Sequence, residues 1–482
     1  MKAILRWRSL QPWRLSKPVT LSKLPLSLLC FALYAAILPA TGYAQVQLAI
    51  GSSVDDMEGA KVVVEGETPP ADQRWNIHGQ ATWVDQYHPT FNAPYSGTNS
   101  LTPHSNSAET LDATLYLGVK LWDGGEAYFN PEIDQGFGLS NTLGLAGFSS
   151  AEAYKVGNNN PYYRTPRAFI RQTFNLGGDL IELEDQANQL AKTITSNNVI
   201  ITAGKFSVVD IFDTNTYAHD PKGDFLNWAG VDAGAFDYAA DSWGYTYGGA
   251  IEWNQDWWTL RAGYFDLSIV PNSENIDIGF KQYELVTELE ERHEIDGHKG
   301  KFKVLGFVNR GNMGSYSNAV ALAQQTGTTP DTSLVRRMAW RPGIALNFEQ
   351  EISPSVGLFA RASQNNGAQE TYEFTDINQS VTAGLSFKGD LWNRPMDSIG
   401  VQGIVNGISK EAQQYFAMGG LGVLVGDGAL TYGLERISEV YYNLGVAKHL
   451  AFGFDYQHVV NPAYNAARGP VNIFGIRVHA DF

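Results

Sequence analysis

Charged and amide side chains share one face of two neighbouring extended segments in this chain. In the first segment, even spacing places Glu126, Asn130 and Glu132 on one face, and in the second it does the same for Arg167 and Arg171. Carboxylate and guanidinium groups can each hold two neighbouring hydroxyl groups, and aromatic rings can stack on the apolar face of a sugar ring. This combination predicts weak, repeated contacts with a hydroxyl-rich solute such as a carbohydrate.

The same residues allow a purely structural interpretation. Charged side chains that face the inside of any barrel form ion pairs across the lumen, and Arg167 and Arg171 could serve only that purpose. Lys205, which follows Ala203 and Gly204, is explained more readily as a member of such a network than as a sugar contact.

A further group of candidates lies in the segment 210–228. It comprises Asp213, Asn215, Asp220, Phe225 and Trp228. This mixture of acids, amide and aromatic rings is unlike a solvated outer loop, so we expect the segment to fold inward and constrict a channel. The alternative is that it merely packs against the wall.

Signatures of catalysis and metal binding are missing or incomplete. The sequence contains no Gly-x-Ser-x-Gly, no phosphate-binding loop and no His-Glu-x-x-His. Asp210, Asp213 and Asn215 do not have the spacing of a calcium loop, and the neighbouring acids Glu132 and Asp134 are too common an arrangement to indicate a glycosidase. We therefore expect no enzymatic activity, no metal and no cofactor.

The strands that must position these residues are clearest at the end of the chain. Phe474, Ile476, Val478, Ala480 and Phe482 alternate with Gly475, Arg477, His479 and Asp481. Successive residues of a strand point to opposite faces, so one face is apolar and the other is polar. An apolar face ending on a C-terminal aromatic residue is typical of the closing strand of a bacterial outer-membrane barrel. We expect the barrel-assembly machinery to bind this strand through Phe482.

Other alternating runs come in pairs that are joined by short turns. The turns are predicted at Asp123-Gly124-Gly125, Asn254-Gln255-Asp256, Glu351-Ile352-Ser353-Pro354 and Ala447-Lys448-His449, whereas connections such as Tyr87–Ser107 and Gly407–Gly428 are long. Short periplasmic turns and long extracellular loops predict an all-β, transmembrane antiparallel β-barrel. An allowance of about 25 residues per strand and connection gives roughly 16 to 18 strands.

Two segments fit the strand pattern less well. Leu180–Thr195 has the residue spacing of a short helix, and Lys281–His293 fits either a helix or an acidic strand.

The beginning of the chain predicts export. Six basic residues and no acidic one precede the apolar run Leu24–Leu38, and small residues lead up to Ala44. We expect residues 1–44 to be a signal peptide, 45–73 a periplasmic extension or a disordered arm, and 74–482 the barrel. The only cysteine, Cys30, lies in the predicted signal peptide.

Composition limits the partners. Without residues 1–44, the chain has 28 basic and 50 acidic residues, a net charge near −22, which argues against nucleic acid as a partner.

The chain has 12 Trp, 23 Tyr and 24 Phe, which suits aromatic girdles at the lipid interface. We expect Trp253, Trp257 and Trp258 to belong to such a girdle.

Several motifs follow one another between Tyr128 and Trp228. They include Tyr128-Phe129-Asn130-Pro131-Glu132, Pro166-Arg167-Ala168-Phe169-Ile170-Arg171-Gln172, Asp210-Ile211-Phe212-Asp213-Thr214-Asn215 and Asp224-Phe225-Leu226-Asn227-Trp228. Through these motifs the chain resembles the OprB-type carbohydrate-selective porins over essentially its whole mature length. The resemblance implies a 16-stranded barrel in the outer membrane of a Gram-negative bacterium, passing mono- or small oligosaccharides by facilitated diffusion.

Several alternatives stay open. The barrel could pass ions and other small solutes with little sugar selectivity, or it could carry an adhesin or an outer-membrane enzyme. The sequence is compatible with a monomer or a homotrimer, and the resemblance carries pore-lining positions over only as a region.

Overall fold

The computed structural model describes residues 61–62, 72–374 and 376–482. Its strands are β1 Lys61–Val62, β2 Trp75–His88, β3 Asn106–Trp122, β4 Gly125–Gly136, β5 Asn158–Leu183, β6 Lys192–Phe206, β7 Thr246–Gln255, β8 Trp258–Asp266, β9 Tyr283–Ile295, β10 His298–Met313, β11 Arg337–Ser353, β12 Val356–Asn365, β13 Gln379–Lys388, β14 Ser398–Gly407, β15 Glu435–Ala447, β16 Leu450–Val460 and β17 Val471–Asp481. The α-helices are Trp228–Val231, Tyr316–Thr326 and Lys410–Ala417, and the 3-10 helices are Leu139–Asn141, Val208–Asp210, Thr332–Val335, Gly389–Trp392 and Pro462–Tyr464.

The predicted signal peptide, 1–44, lies outside the described residues, as does most of the predicted extension, 45–73. Within the described ranges, no helix combines the length and the apolar character that a membrane crossing requires.

Strands β2 to β17 form a closed antiparallel barrel of 16 strands. Each strand pairs with the next along the chain, and β17 pairs back onto β2 over eight residue pairs. The last residue continues this seam: Phe482 N donates to Gly79 O at 2.9 Å, and Gly79 N donates to Phe482 O at 3.2 Å. The predicted all-β antiparallel barrel is confirmed. The two-residue strand β1 lies outside the ring and pairs with β5.

Alternate residues point to the lumen and to the outside of the barrel, as the sequence predicts. On β17, Phe474 and Ile476 are 49% and 45% exposed, whereas Arg477 is 2% exposed. On β3, Leu115 and Val119 are likewise exposed, while Tyr116 between them is buried. In a transmembrane barrel the exposed apolar face is the one that contacts lipid.

The four predicted short turns are confirmed. They join β3 to β4, β7 to β8, β11 to β12 and β15 to β16, and each leaves two residues outside the strands. They share one end of the barrel with the C-terminus, and we call this end the short-turn rim. The connections at the opposite end, the long-loop rim, include residues 89–105, 207–245 and 408–434.

The helix predicted over Leu180–Thr195 is wrong. β5 runs to Leu183 and β6 begins at Lys192, so most of this segment is the end of a hairpin that continues past the turn between β3 and β4. Ile181 and Leu183 are two residues apart, and a strand places such residues on one face, where they pack with Ile194. In so short a segment the apolar residues fit both the helical spacing and the period of two, and the pairing of β5 with β6 makes it a strand.

Most of the acidic segment Lys281–His293 lies in strand β9, which begins at Tyr283. Glu284 and Glu288 are buried on the lumen side, and Leu285 and Leu289 are exposed outside. The period of two therefore identifies the strand, and the helical alternative is wrong.

The connection between β6 and β7, residues 207–245, folds into the barrel, and we call it the inward loop. Most of its residues are buried. Leu226 N donates to the carboxylate of Glu439 on β15 at 2.6 Å, and Ala235 N donates to Ser363 Oγ on β12 at 3.0 Å. Wall side chains thus accept the backbone hydrogen bonds that a buried loop must satisfy. The predicted inward folding of 210–228 is confirmed.

Candidate functional site

A β-bulge shapes the wall where the predicted charged residues lie. The ladder between β4 and β5 pairs Asn130 with Arg167 and Glu132 with Arg164, so β5 advances three residues while β4 advances two. The extra residue falls beside Pro166, which has no backbone N–H to donate to the ladder. Because a bulge shifts the alternation of a strand, Arg164 and Arg167 both face the lumen.

Arg164 is bound to two carboxylates of β4. Its Nη2 lies 2.6 Å from Glu132 Oε1, and its Nε donates to Asp134 Oδ2. The guanidinium also lies over the ring of Tyr245, 5.2 Å from its centre. The positive charge of Arg164 is therefore compensated by the wall itself.

Arg167 attaches the wall to the inward loop. Its Nε and Nη2 donate to the two carboxylate oxygens of Asp210, at 2.9 and 2.6 Å. Asp210 Oδ2 also accepts a hydrogen bond from Ser207 N at 2.8 Å, which caps the 3-10 helix Val208–Asp210. A bidentate, charge-assisted pair of this kind fixes orientation as well as position.

Lys222 makes a second connection between the inward loop and the wall. Its Nζ lies 3.0 Å from Asp112 Oδ1 on β3 and also contacts the carboxylate of Glu152. Asp220 Oδ1 accepts a hydrogen bond from Lys222 N at 2.9 Å. The candidate Asp220 therefore lies beside a cation that is itself paired with two acids.

Asp213 and Asn215 face the opposite wall. Asp213 Oδ1 accepts from Asn347 Nδ2 at 2.7 Å and lies 3.3 Å from Arg361 Nε. Asn215 Nδ2 donates to Asn347 Oδ1 at 2.8 Å. These contacts with β11 and β12 anchor the inward loop.

The two aromatic candidates of the inward loop are covered by other rings. Phe225 packs against Tyr441 and Phe359, with ring centres 4.8 and 5.4 Å apart. Trp228 stacks on Phe148 of the connection between β4 and β5, at 5.2 Å and 12° between the planes. Trp228 thus joins two long connections.

Glu126 and Arg171 lie near the short-turn rim and are cross-strand neighbours. Glu126 Oε2 is 2.9 Å from Lys192 Nζ. Arg171 donates from Nη1 to Asn188 O at 3.0 Å, and its guanidinium lies 5.3 Å from the ring centre of Tyr128. Both candidates therefore contact the end of the β5–β6 hairpin.

Lys205 and Asn130 are the remaining candidates. Lys205 Nζ lies 3.5 Å from Asp241 Oδ2 and 5.9 Å from the ring centre of Tyr247. Asn130 is fully buried, and within the described part of the chain its side-chain amide has no hydrogen-bond partner.

One cavity of about 150 Å³ lies between the inward loop and the wall formed by β2 to β5. Its volume corresponds to on the order of ten waters. Of the predicted residues, the fold brings Glu132, Arg167, Asp220 and Trp228 to this cavity. The predicted residues that do not line it are Glu126, Asn130, Arg171, Lys205, Asp213, Asn215 and Phe225.

Sequence reasoning did not select four residues that lie at or beside the cavity. Gln80 and Tyr116 are on lumen faces that simple alternation identifies, but neither carries a charge. Arg164 requires the bulge, for which Pro166 is the available signal. Lys222 depends on the path of the inward loop, which no local pattern specifies.

Comparisons with known proteins agree with this architecture. The family model described as "Carbohydrate-selective porin, OprB family" matches residues 98–482. The high-pH structure of Pseudomonas putida OprB matches with a TM-score of 0.65 and 13% identity, over 85% of this chain and 94% of that one. The low-pH structure of the same protein and the outer membrane channel DcaP of Acinetobacter baumannii both match with a TM-score of 0.46 and 11% identity. Each covers 85% of this chain, and 93% and 97% of those chains, respectively. No curated protein sequence matches the chain.

Proposed function

The chain belongs to the OprB family of carbohydrate-selective porins, and we propose that carbohydrates cross its barrel through the cavity beside the inward loop. The protein is an outer-membrane porin, and its function is the facilitated diffusion of carbohydrates. The proposal concerns the route and the residues along it.

The Arg167–Asp210 pair carries this proposal. It lies at the cavity and joins the wall to the inward loop, so it fixes the width of the lumen at this level. Glu132, Asp220 and the ring of Trp228 complete the cavity edge with acceptors and an apolar surface. Dispersed polar groups beside aromatic rings offer a sugar several weak contacts, as permeation requires.

Liposome swelling with the purified protein tests this route. We expect neutral sugars to enter faster than sugar acids and amino acids of similar size. Swelling that is no faster than in protein-free liposomes would contradict the carbohydrate route.

We also propose that the chain is a passive channel without enzymatic activity. Two of the acids that line the cavity are paired with cations, Glu132 with Arg164 and Asp210 with Arg167. A hydrolase would need a carboxyl group free to transfer a proton. Incubation of the protein with oligosaccharides should therefore leave them intact.

The remaining partners are inferred from the arrangement of the chain. We propose that residues 1–44 direct export, that 45–73 form a periplasmic extension, and that 74–482 form the barrel. β1 supports a contact of the extension with the β5–β6 hairpin. The exposed apolar face supports contact with outer-membrane lipid, and the seam at Phe482 supports recognition by the barrel-assembly machinery. Monomer and homotrimer are distinguished by light scattering in detergent.

A further inference from the structure

Two neutral polar groups at the cavity have no hydrogen-bond partner. Gln80 Nε2 and Tyr116 Oη are both buried, and in the ranges that the structure describes neither atom bonds to another protein group. Gln80 is 3% exposed and Tyr116 is 2% exposed, and both side chains line the cavity. Buried polar groups of proteins are nearly always paired, so these two groups are available to a molecule that occupies the cavity.

The barrel places the two groups side by side. β2 and β3 pair Gln80 with Thr114 and His78 with Tyr116, so Gln80 and Tyr116 are diagonal neighbours on the lumen face. Thr114 lies between β2 and β4 on the same face, but its hydroxyl donates to Glu132 at 2.6 Å. Of these three neighbouring wall residues, Gln80 and Tyr116 therefore hold the unused hydrogen-bonding capacity.

Two of the cations that line the cavity are already paired with acids. Arg167 is paired with Asp210, and Lys222 is paired with Asp112 and Glu152. An anionic solute would have to displace a carboxylate from one of these cations. A neutral solute can instead bind to the two free neutral groups without breaking an ion pair.

We infer that Gln80 and Tyr116 form a binding subsite for a neutral, hydroxyl-rich solute of the size of a single sugar ring. The inference rests on the proposed route through this cavity. The Gln80 amide donates to a ring hydroxyl oxygen, and the Tyr116 hydroxyl donates to or accepts from a second one. The subsite discriminates by neutral hydrogen bonds, and the ion pairs around it exclude charged sugars.

The test measures block of the ion current through single reconstituted channels by D-glucose. Tyr116→Phe and Gln80→Met each remove a hydrogen-bonding group while nearly preserving shape. We expect each to raise the half-blocking glucose concentration by roughly fivefold, the effect of one net hydrogen bond. Tyr441→Phe is the matched control, because Tyr441 is also a buried lumen tyrosine but lies away from the cavity, against Phe225.

Two further probes separate solute contact from a structural role. A series of monodeoxyglucoses keeps the ring but removes one hydroxyl group at a time, with both its donor and its acceptor. We expect the two variants to lose the wild-type preference for glucose over the sugar that lacks the contacted hydroxyl group. A merely structural change would weaken both sugars equally and would overturn the subsite. D-glucuronate carries a carboxylate in place of the C6 hydroxymethyl group of glucose. Block by glucuronate at lower concentrations than glucose would overturn the preference for neutral solutes.

The outcomes distinguish the subsite from the route. Wild-type channels that neither bind nor pass glucose would refute the proposed function itself. Wild-type block by glucose with unchanged block in both variants would refute the subsite and leave the route intact. Heat-modifiable migration on gels establishes that each variant is folded, and if one variant fails to fold the other decides the result.

Discussion

The guanidinium of Arg167 and the carboxylate of Asp210 form two parallel hydrogen bonds, of 2.9 and 2.6 Å, across the boundary between the barrel wall and the inward loop. The pair is buried on both sides. Each residue compensates the charge of the other. Removing either one would therefore leave an uncompensated charge in the lumen.

The first prediction concerns the double variant Arg167→Ala with Arg171→Ala. Removing both cations leaves Asp210 and Glu126 without these neighbours, so we expect lower glucose flux at low concentration and a stronger preference for cations. A charge-assisted hydrogen bond contributes about 1.5–3 kcal/mol, so flux should fall by roughly tenfold or more. Liposome swelling and reversal potentials in a KCl gradient measure the two effects.

Arg436→Ala is the control for this variant, because Arg436 is an exposed arginine of β15. A large inert solute measured in parallel reports whether the loop has moved and widened the pore. Wild-type values of both glucose flux and ion preference would show that the two arginines only support the wall.

The second prediction concerns the C-terminal residue. Phe482 exchanges two backbone hydrogen bonds with Gly79 and so completes the seam between β17 and β2. Deleting Phe482 should reduce the amount of folded barrel in the outer membrane and leave unfolded chain in the periplasm. Heat-modifiable migration of the membrane fraction measures the folded amount. Phe482→Tyr keeps an aromatic terminus and should assemble normally, and full assembly of the deletion variant would count against this role.

The third prediction compares the two faces of the wall. Ile476 is 45% exposed at the centre of β17, and we expect Ile476→Arg to cost about 2–4 kcal/mol of folding free energy in lipid. Ser386 is half-buried on the lumen side of β13, and Ser386→Arg should cost far less. Urea unfolding in lipid vesicles measures both. Equal costs would mean that one of these faces is wrongly assigned.

The fourth prediction concerns the connection 184–191 at the short-turn rim. Burial alone would raise the pKa of the Asp185 carboxyl, but hydrogen bonds from His78, Asn76 and Gln73 outweigh it and hold this pKa below its usual value. A depressed pKa in the folded state contributes stability above the unfolded pKa, about 3.9, and this contribution is lost as the pH falls through the folded pKa. The connection should therefore stay attached at neutral and mildly acidic pH and detach only below about pH 4.

Limited proteolysis of this connection across pH measures its attachment. Asp185→Ala should expose it at neutral pH, whereas Asp179→Ala, at an exposed position of the same hairpin, should not. Equal cleavage of both variants would show that the three hydrogen bonds do not hold the connection.

The barrel could be predicted because its signals are local. Alternation on β17 and the Asp-Gly turn before Gly125 depend only on neighbouring residues, and each strand repeats the same pattern. The helix assigned to Leu180–Thr195 failed for the same reason, since a short run of apolar residues fits two periods and only pairing with β6 decides between them.

The site was less predictable because it depends on distant contacts. Asp213 binds Arg361, 148 positions away, and nothing near either residue specifies the other. Arg164 faces the lumen only because the bulge near Pro166 reverses the alternation. Gln80 and Tyr116 stand out by the lack of a partner, a property that exists only in the folded chain.

The seam between β2 and β17 joins the first barrel strand to the last. Until the final strand is in place, the sheet has two open edges whose unpaired backbone groups can accept a strand from another molecule. The order of strands therefore leaves both edges open until β17 pairs with β2, and this single pairing closes them together.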